Sequence, residues 1–365
     1  MGETQISLRA LNRATLARQH LLARAEGLGV VEAVDRLAGL HAQEPKPPFL
    51  ALRARLDGFS RDDLLAPIRS GALLRGTLFR GTLHLATARD FAAWRSLVSV
   101  DEAAVRRTLG ARAAGLDAAA VLPVARQLLA EEPRTFTALR AALVERFPDV
   151  HERALGFCAR MLLPLTMVPS GDAFGFPRDA PFAVAPVEPE PPSAAGREAL
   201  VLRYLAAFGP ATVADAQAWS GVKGLAPTFD ALRDRLVTFR AEHAPRRELF
   251  DLPDAPRPPE DTPAPPRLLG EFDQLLLAHD DRSRLIADAH RPLVTTKNLR
   301  VRSVFLLDGI VSGTWTIETK RGAVSVTLEP FPGVGVSGKR PLTDEAKRLA
   351  RWLEPDARTV AVAIA

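Results

Sequence analysis

The stretch LLRGTLFRGTLHLA, residues 73–86, decides the fold of this chain. Two short β-prone runs are interrupted by Gly76 and Gly81, a pattern typical of a β-hairpin. The segments that precede it, among them residues 14–25 and 31–40, carry apolar residues at three- and four-residue spacing, which predicts amphipathic helices. Helices followed by a small hairpin predict a winged helix.

The same outline recurs twice further along the chain. Helical runs at 138–146 and 153–163 precede a glycine-containing, wing-like turn at 167–176. A third set of helical runs lies at 214–219 and 228–236, without a visible wing. We therefore predict a mainly α fold with small β-hairpins (α+β), built from three winged-helix units in tandem.

Proline-rich stretches mark the boundaries between these units. Residues 186–192 follow the second unit, and residues 253–266 form a spacer that can be neither helix nor central strand. Beyond the spacer, Asp308-Gly309 and Arg321-Gly322 lie between alternating runs and predict hairpin turns. We divide the chain into winged helix 1 with the candidate catalytic motif (1–120), winged helix 2 (121–192), winged helix 3 with the spacer (193–266), and a β-rich segment packed on the third unit (267–365).

The charge of the chain favours a polyanionic partner. Its 365 residues have a formal net charge of +5, and residues 1–120 hold 17 Arg and Lys against 12 Asp and Glu. This excess is typical of nucleic-acid binding, although an Arg-rich composition also follows from a GC-rich genome. The charge alone leaves both explanations open.

Several other classes of protein are excluded. The apolar runs are shorter than the roughly 20 residues needed to cross a bilayer, and the N-terminus lacks a signal pattern, so we expect a cytoplasmic protein without membrane contact. The single cysteine, Cys158, rules out an intramolecular disulfide and a thiolate-rich metal site. Nucleotide-loop, nucleophile-elbow and zinc-protease motifs are missing, and the seven histidines are separated, so we expect neither a metal nor an organic cofactor.

The segment LAGLHAQEPKPP, residues 37–48, is the strongest candidate for chemistry. An amphipathic helix runs into a proline cluster here, which places His41 and Gln43 where the backbone must turn and where side chains project into open space. Plain helix termination and capping would explain the same residues. The motif alone therefore does not separate the two interpretations.

Several segments together resemble one known family, the winged-helix DNA-binding family that contains the AlkZ-like DNA glycosylases and their AlkX (YcaQ) relatives. The resemblance covers essentially the whole chain. It rests on LHAQEP (40–45), LRARL (52–56), the hairpin at 75–85, ARMLLPL (159–165), RYLAAFGPAT (203–212), EFDQLLLAHDDRSR (271–284) and DG (308–309).

The resemblance implies an activity and a catalytic pair. The AlkZ-like branch has a Gln-x-Gln motif and the AlkX branch Gln-x-Asp, whereas this chain has His41-x-Gln43. The implied protein is a monofunctional DNA glycosylase that hydrolyses the N-glycosidic bond of bulky or cross-linking alkylpurine adducts of the N7-alkylguanine type. Its role would be DNA repair or self-resistance to a genotoxin, its partner double-stranded DNA carrying alkylated purines, and its state a monomer.

The chemistry agrees with such a pair. An N7- or N3-alkylated purine is already cationic, so its glycosidic bond breaks without a strong general acid, while an uncharged leaving group would require two carboxylates. We assign water positioning to Gln43, and hydrogen bonding or proton acceptance to His41, whose usual pKa of about 6.5 leaves it mostly neutral. If His41 accepts a proton, His41→Gln would flatten the pH dependence between about 5.5 and 7.5.

Further residues are candidates for DNA contacts. Residues two apart on a strand share a face, which predicts that Arg80, Thr82 and His84 point the same way. Thr82 and His84 would equally satisfy buried backbone groups, and the 281–284 cluster would serve as a phosphate clamp or as an internal ion pair. The predicted DNA-binding residues are Lys46, Arg75, Arg80, Thr82, His84 and Arg284.

An alternative from another class is a non-catalytic winged-helix regulator or architectural protein. It would bind DNA and use His41 and Gln43 only structurally. A neighbouring biosynthetic cluster for an alkylating compound would favour repair, and a divergent operon would favour regulation.

We expect the affinity for undamaged duplex DNA to fall steeply with salt, because each phosphate contact releases condensed counterions. Across a salt series, the logarithm of the binding constant should fall linearly with the logarithm of the salt concentration, with a slope of about −0.9 per phosphate contact. A flat dependence would contradict a mainly electrostatic interaction.

Overall fold

A computed structural model describes residues 4–296, 300–335 and 339–365, with the side chain of Lys339 left out. Helices predominate over strands, as predicted. The α-helices of the described ranges are α1 (Leu8–Arg18), α2 (Val30–Arg36), α3 (Pro47–Arg55), α4 (Arg61–Arg69), α5 (Ala88–Arg95), α6 (Glu102–Leu109), α7 (Ala118–Glu131), α8 (Phe136–Arg146), α9 (Glu152–Leu162), α10 (Ala194–Phe208), α11 (Val213–Ser220), α12 (Ala226–Ala231), α13 (Arg291–Val294) and α14 (Lys339–Leu353).

The strands form three sheets, with the orders β1-β7-β8, β2-β4-β3-β5-β6 and β13-β12-β11-β10-β9. Their bounds are β1 (Gln5–Ile6), β2 (Leu40–His41), β3 (Leu73–Thr77), β4 (Leu83–Thr87), β5 (Leu165–Met167), β6 (Phe182–Val184), β7 (Val237–Ala241), β8 (Ala244–Asp251), β9 (Arg267–Leu269), β10 (Val304–Leu307), β11 (Ile310–Lys320), β12 (Ala323–Pro330) and β13 (Thr359–Ile364).

The hairpin predicted at residues 73–86 is confirmed as the antiparallel pair β3–β4. Strand β2 adds to its outer edge and brings His41 opposite His84. On the other edge Gly76 pairs with Thr166 of β5, and a Cβ at Gly76 would lie 2.6 Å from Cε2 of Phe91, so only glycine fits there. The hairpins of the first two predicted units therefore share one sheet.

Two hairpins differ from the prediction. The second pairs β5 with β6, so its turn is a long loop over residues 168–181 and not a tight wing within 167–176. The third unit has a hairpin that the sequence did not reveal, β7–β8, next to which β1 pairs in parallel with β7. The division into winged-helix units stays a prediction.

The turns that short sequence motifs predicted agree with the structure better than the two hairpins do. The hairpin turns at Asp308-Gly309 and Arg321-Gly322 are confirmed, with φ of 47° and 79° in the first turn and 51° and 79° in the second. Positive φ at both central residues defines the type I′ turn, which matches the twist of the flanking strands.

The β-rich segment contacts the first unit as well as the third. Its sheet contacts α14 and Leu50 of α3, while Leu16 of α1 and Ala54 of α3 belong to the core beneath β9 and β10. The chain between β9 and β10 contacts the third unit. There the Tyr204 hydroxyl of α10 donates to the carbonyl of Ala278 over 2.9 Å. Ala264 of the predicted third unit belongs to the same core, so the segment contacts both units and the predicted division stays a prediction.

A buried ion pair fastens this segment to the first unit. Arg55 donates from both terminal nitrogens to the two carboxylate oxygens of Asp273, over 2.8 and 2.7 Å, and neither side chain is exposed. Arg55 also donates to the side-chain oxygen of Gln19 over 3.3 Å. The pair holds the loop after β9 against α1 and α3.

No single helix of the described ranges is long and apolar enough to cross a bilayer. The stretches Glu102–Ala113 and Ala118–Glu131 reach that length and composition only together, as a pair bent by 95°.

We expect Asp273→Asn to lower the free energy of unfolding by about 3–5 kcal/mol, because it leaves the Arg55 charge buried without its partner. Urea denaturation of both proteins would measure the difference. The matched control is Lys320→Ala, which removes the exposed partner of Glu318 and should change stability by less than about 1 kcal/mol. Equal effects of the two substitutions would contradict the role given to the buried pair.

Candidate active site

The His41–Gln43 motif lies at the end of β2 and is held by its backbone. Arg75 of β3 donates from Nε to the carbonyl of Ala42 over 2.9 Å and from Nη2 to the carbonyl of Gln43 over 3.0 Å. Its guanidinium also lies 4.9 Å from the ring centroid of Phe176. Arg75 therefore fixes the chain direction at the point where the motif leaves the sheet.

The Gln43 side chain is oriented by one hydrogen bond. The backbone N–H of Leu83 donates to Oε1 over 3.3 Å, and only the oxygen of the amide can accept it. This contact leaves the second lone pair of Oε1 and the amide NH₂ without a bond to the described residues. The half-buried Gln43 can therefore both accept from and donate to a water molecule.

His41 is a buried, neutral imidazole. Its ring stacks on Phe272 at 4.9 Å between centroids with an interplanar angle of 11°, and meets the ring of His84 edge-on at 5.2 Å. Burial lowers the pKa of His41 to about 4, with a smaller contribution from the Arg80 charge. The Gln43 backbone N–H faces Nδ1 at 3.5 Å, which favours the tautomer that carries its proton on Nε2.

This environment corrects the expected role of His41. With a pKa near 4, the imidazole stays uncharged from pH 5.5 to 7.5, so no flattening of activity in that window can come from its titration. A weakly basic ring is a poor proton acceptor. Its Nε2–H is instead a hydrogen-bond donor, as an amide NH₂ would be at the same position.

Three predicted DNA-binding residues are buried, and each donates to a backbone carbonyl of the protein itself. The Arg75 guanidinium donates its hydrogen bonds to the backbone carbonyls of the His41–Gln43 motif. Burial lowers the pKa of Arg75 to about 10, so the side chain remains a cation at neutral pH. Nδ1 of His84 donates to the carbonyl of Thr82 over 3.1 Å, and its ring contacts the ring of His41. Arg284 donates to the carbonyl of Pro210 over 2.8 Å and to the Thr15 hydroxyl over 3.3 Å.

The other candidates on the hairpin do not share a face. Arg80 lies in a 3₁₀ turn between β3 and β4, not on a strand, and has a left-handed φ of 55°. Although exposed, it donates to the carbonyls of Ala218 and Trp219 at the end of α11. Thr82 donates its hydroxyl to the carbonyl of Phe79 over 3.0 Å. The hairpin tip is therefore bound to the third unit. The Thr82 hydroxyl forms its hydrogen bond with a backbone carbonyl of the hairpin.

Lys46 is the predicted contact that lies at an open pocket. The pocket has a volume of about 440 Å³ and lies between the α3 start and the C-terminal sheet. Glu44, the residue after Gln43, is one of the residues that line it. Its lining includes Glu44, Lys46, Arg178, Glu271, Arg300 and Trp315.

Sequence reasoning missed the residues that the C-terminal segment brings to the site. Phe272 and Glu271 lie in the segment EFDQLLLAHDDRSR (271–284), for which the sequence offers only its resemblance to the family. No periodicity signals that Phe272 stacks on an imidazole 231 positions earlier, since that contact depends on long-range packing. Among the described residues, no group of three His, Cys, Asp or Glu is arranged to hold a metal ion.

Comparisons with known proteins add independent information. The family described as "DNA glycosylase AlkZ-like" matches residues 34–352. The chain is 26% identical over 348 residues to the interstrand DNA cross-link repair glycosylase of Streptomyces sahachiroi, covering 88% of this chain and 90% of that protein. The solved structure of the Streptomyces sahachiroi DNA glycosylase AlkZ superposes with a TM-score of 0.80 at 22% identity, covering 99% of this chain and all of the other.

We expect the burial of neutral His41 to make the protein less stable in acid. Between pH 6.5 and 4 the unfolded chain binds a proton at this position and the folded chain does not, so the free energy of unfolding falls as the pH falls. From pH 7 to 5 this amounts to about 2 kcal/mol.

Urea denaturation of wild type and His41→Gln at both pH values checks this. The variant should lose about 2 kcal/mol less than wild type between pH 7 and 5. The remaining loss is expected because burial also lowers the pKa values of His84 and His279. The same loss in both proteins would count against a neutral His41.

Proposed function

The chain belongs to the AlkZ-like DNA glycosylase family, and from this premise we propose that it removes bulky or cross-linking alkylpurine adducts of the N7-alkylguanine type from double-stranded DNA. It is a DNA glycosylase, and we propose His41 and Gln43 as its catalytic pair. The observation that carries the proposal is the uncharged character of the pair, an amide beside a buried imidazole whose pKa is lowered to about 4.

A neutral pair suits a leaving group that is already cationic. When the bond between C1′ and N9 breaks, its electron pair passes to the base and neutralises the imidazolium charge, so no acid needs to protonate the base. The remaining sugar is oxocarbenium-like and reacts readily with water. In ordinary glycoside hydrolysis two carboxylates divide these tasks.

Gln43 would hold the attacking water. Its Oε1 accepts a water proton, while the backbone N–H of Leu83, which donates to the same oxygen, keeps the amide from rotating. The Nε2–H of His41 donates to one lone pair of the water oxygen and leaves the other to attack C1′. As the water oxygen bonds to C1′, its surplus proton passes to solvent, since an imidazole with this pKa does not retain it at neutral pH.

The substrate class draws support from the Streptomyces sahachiroi relative. That protein is named for the repair of interstrand DNA cross-links, and the similarity extends over 90% of its length. We propose by the same reasoning a role in DNA repair, including self-resistance to a DNA-alkylating natural product. The protein would act as a monomer on the nucleoid.

Gln43→Ala should lower the single-turnover excision rate by about 10²–10³, the usual effect of removing one preorganised polar group. The affinity for the duplex should stay within about two-fold, since a group that positions water acts in the transition state. His41→Ala should have a weaker effect, and His41→Gln should retain activity.

The assay uses duplexes with defined adducts, followed by alkali and measurement of strand scission at the lesion. Gln127→Ala is the matched control, because Gln127 is exposed on α7 and bonds only to Glu131 of the same helix among the described residues. Full excision by the His41→Ala, Gln43→Ala double variant would move the chemistry to other residues.

A further inference from the structure

Two arginines, Arg80 and Arg282, each keep one edge of the guanidinium free of hydrogen bonds to the described part of the chain. Arg80 donates to the carbonyls of Ala218 and Trp219 from Nη1 only. Arg282 donates to the carbonyl of His279 from Nε over 3.4 Å. The edge formed by Nε and Nη2 of Arg80, and the edge formed by Nη1 and Nη2 of Arg282, are therefore available to a ligand.

Both arginines lie beside the proposed catalytic pair. The ring of Phe79, the residue before Arg80, meets the ring of His84 edge-on at 5.2 Å between centroids, and His84 pairs with His41 across β4 and β2. After burial, the charge of Arg80 is the second cause of the lowered pKa of His41. Arg282 lies close enough for its charge to repel that of Arg80. The two guanidinium groups therefore form one cluster next to the pair.

The positive charges of this cluster are not balanced at short range. Among the described residues, neither Arg80 nor Arg282 forms an ion pair, and Arg282 is attracted by Asp280 but repelled by Arg291. Desolvation by the surrounding protein and repulsion by Arg282 lower the pKa of Arg80 to about 10, so Arg80 stays a cation at neutral pH. Neighbouring cations that repel each other are unfavourable, and an anion bound between them would turn the repulsion into attraction.

We propose that Arg80 and Arg282 form a phosphate clamp, which binds one phosphate of the DNA backbone next to the damaged nucleotide, an inference that rests on the proposed function of His41 and Gln43. One edge of a guanidinium presents two parallel N–H groups, whose spacing matches that of two phosphate oxygens. Two free edges can together hold the non-bridging oxygens of a single phosphodiester. Phosphate contacts of this kind fix the position of a protein on the duplex.

Both arginines of the phosphate clamp are held in place before DNA binds. Arg80 donates to carbonyls at the end of α11, and a Cβ at Gly221 would lie 3.3 Å from the backbone nitrogen of Arg80, so the hairpin tip packs closely on the helix end. Arg282 donates to the carbonyl of His279, whose Nε2 in turn donates to the carbonyl of Phe208 over 3.0 Å. Side chains that are already fixed lose less conformational entropy on binding, and the bound phosphate would place the adjacent sugar beside His41.

The test measures the contribution of single phosphates to binding. The probe is a duplex with a tetrahydrofuran abasic-site analogue, in which each phosphate near the analogue is replaced in turn by an uncharged methylphosphonate. For wild type, one replacement within about two phosphates of the analogue should weaken binding by at least about ten-fold. Arg282→Ala should bind the unmodified duplex about ten-fold more weakly, and the same replacement should then cost less than about two-fold, because the effects of interacting groups are not additive.

A second variant and a matched control sharpen this test. Arg80→Gln should become insensitive to the same phosphate, since both arginines are proposed to hold one group. The control is Arg233→Ala, an exposed arginine whose two terminal nitrogens already donate to the carboxylate of Glu248 over 3.0 and 3.2 Å. It should show the same phosphate dependence as wild type. Melting curves verify that each variant folds.

Three results would each overturn the phosphate clamp. They are an equal loss of wild-type affinity at all replaced phosphates, full dependence on the same phosphate in Arg282→Ala, and dependence of Arg80→Gln and Arg282→Ala on different phosphates. The titrations need no turnover, so their failure is distinct from that of the proposed function. No excision of alkylated bases by wild type would overturn the substrate proposal, and the methylphosphonate titrations would still decide the clamp.

Discussion

The buried ion pair between Arg55 and Asp273 is the contact on which the site depends. It joins residues 218 positions apart, and no water reaches either side chain. In such surroundings the loss of one partner leaves an uncompensated charge, so the pair strongly favours a single arrangement of the two segments. Asp273 also accepts from the backbone N–H of Leu275 over 3.0 Å, which fixes the loop that carries it.

The loop places two functional residues next to Asp273. Phe272 has a φ of 56°, an uncommon conformation for a bulky residue that persists where the surroundings determine it. In this conformation its ring stacks on His41, which excludes water from the imidazole and keeps it neutral. Glu271 lines the same pocket as Glu44. The C-terminal segment thus completes a site whose proposed catalytic residues lie in the first 50 positions.

Local features of the fold were predictable from the sequence, and the assembly of the site was not. The hairpin at 73–86 and the type I′ turn at Asp308-Gly309 are specified by neighbouring residues, so short-range patterns revealed them. The sequence also identified His41 and Gln43 as neighbours at the end of a secondary-structure element, although that element is a strand and not a helix. The residue types of Arg75 and Arg284 suggested DNA contacts, but basic side chains also bind carbonyl groups inside a protein. Only the tertiary packing decides between these two uses.

The proposed catalytic pair is neutral, and the base that it would release is already charged. The most direct measurement compares single-turnover excision of N7-methylguanine and O6-methylguanine from the same duplex, since the two lesions carry the same methyl group and only the first is cationic. We expect excision of N7-methylguanine and no measurable excision of O6-methylguanine, because expulsion of the neutral base would require a general acid that the pair does not supply. Comparable excision rates for both lesions would contradict it.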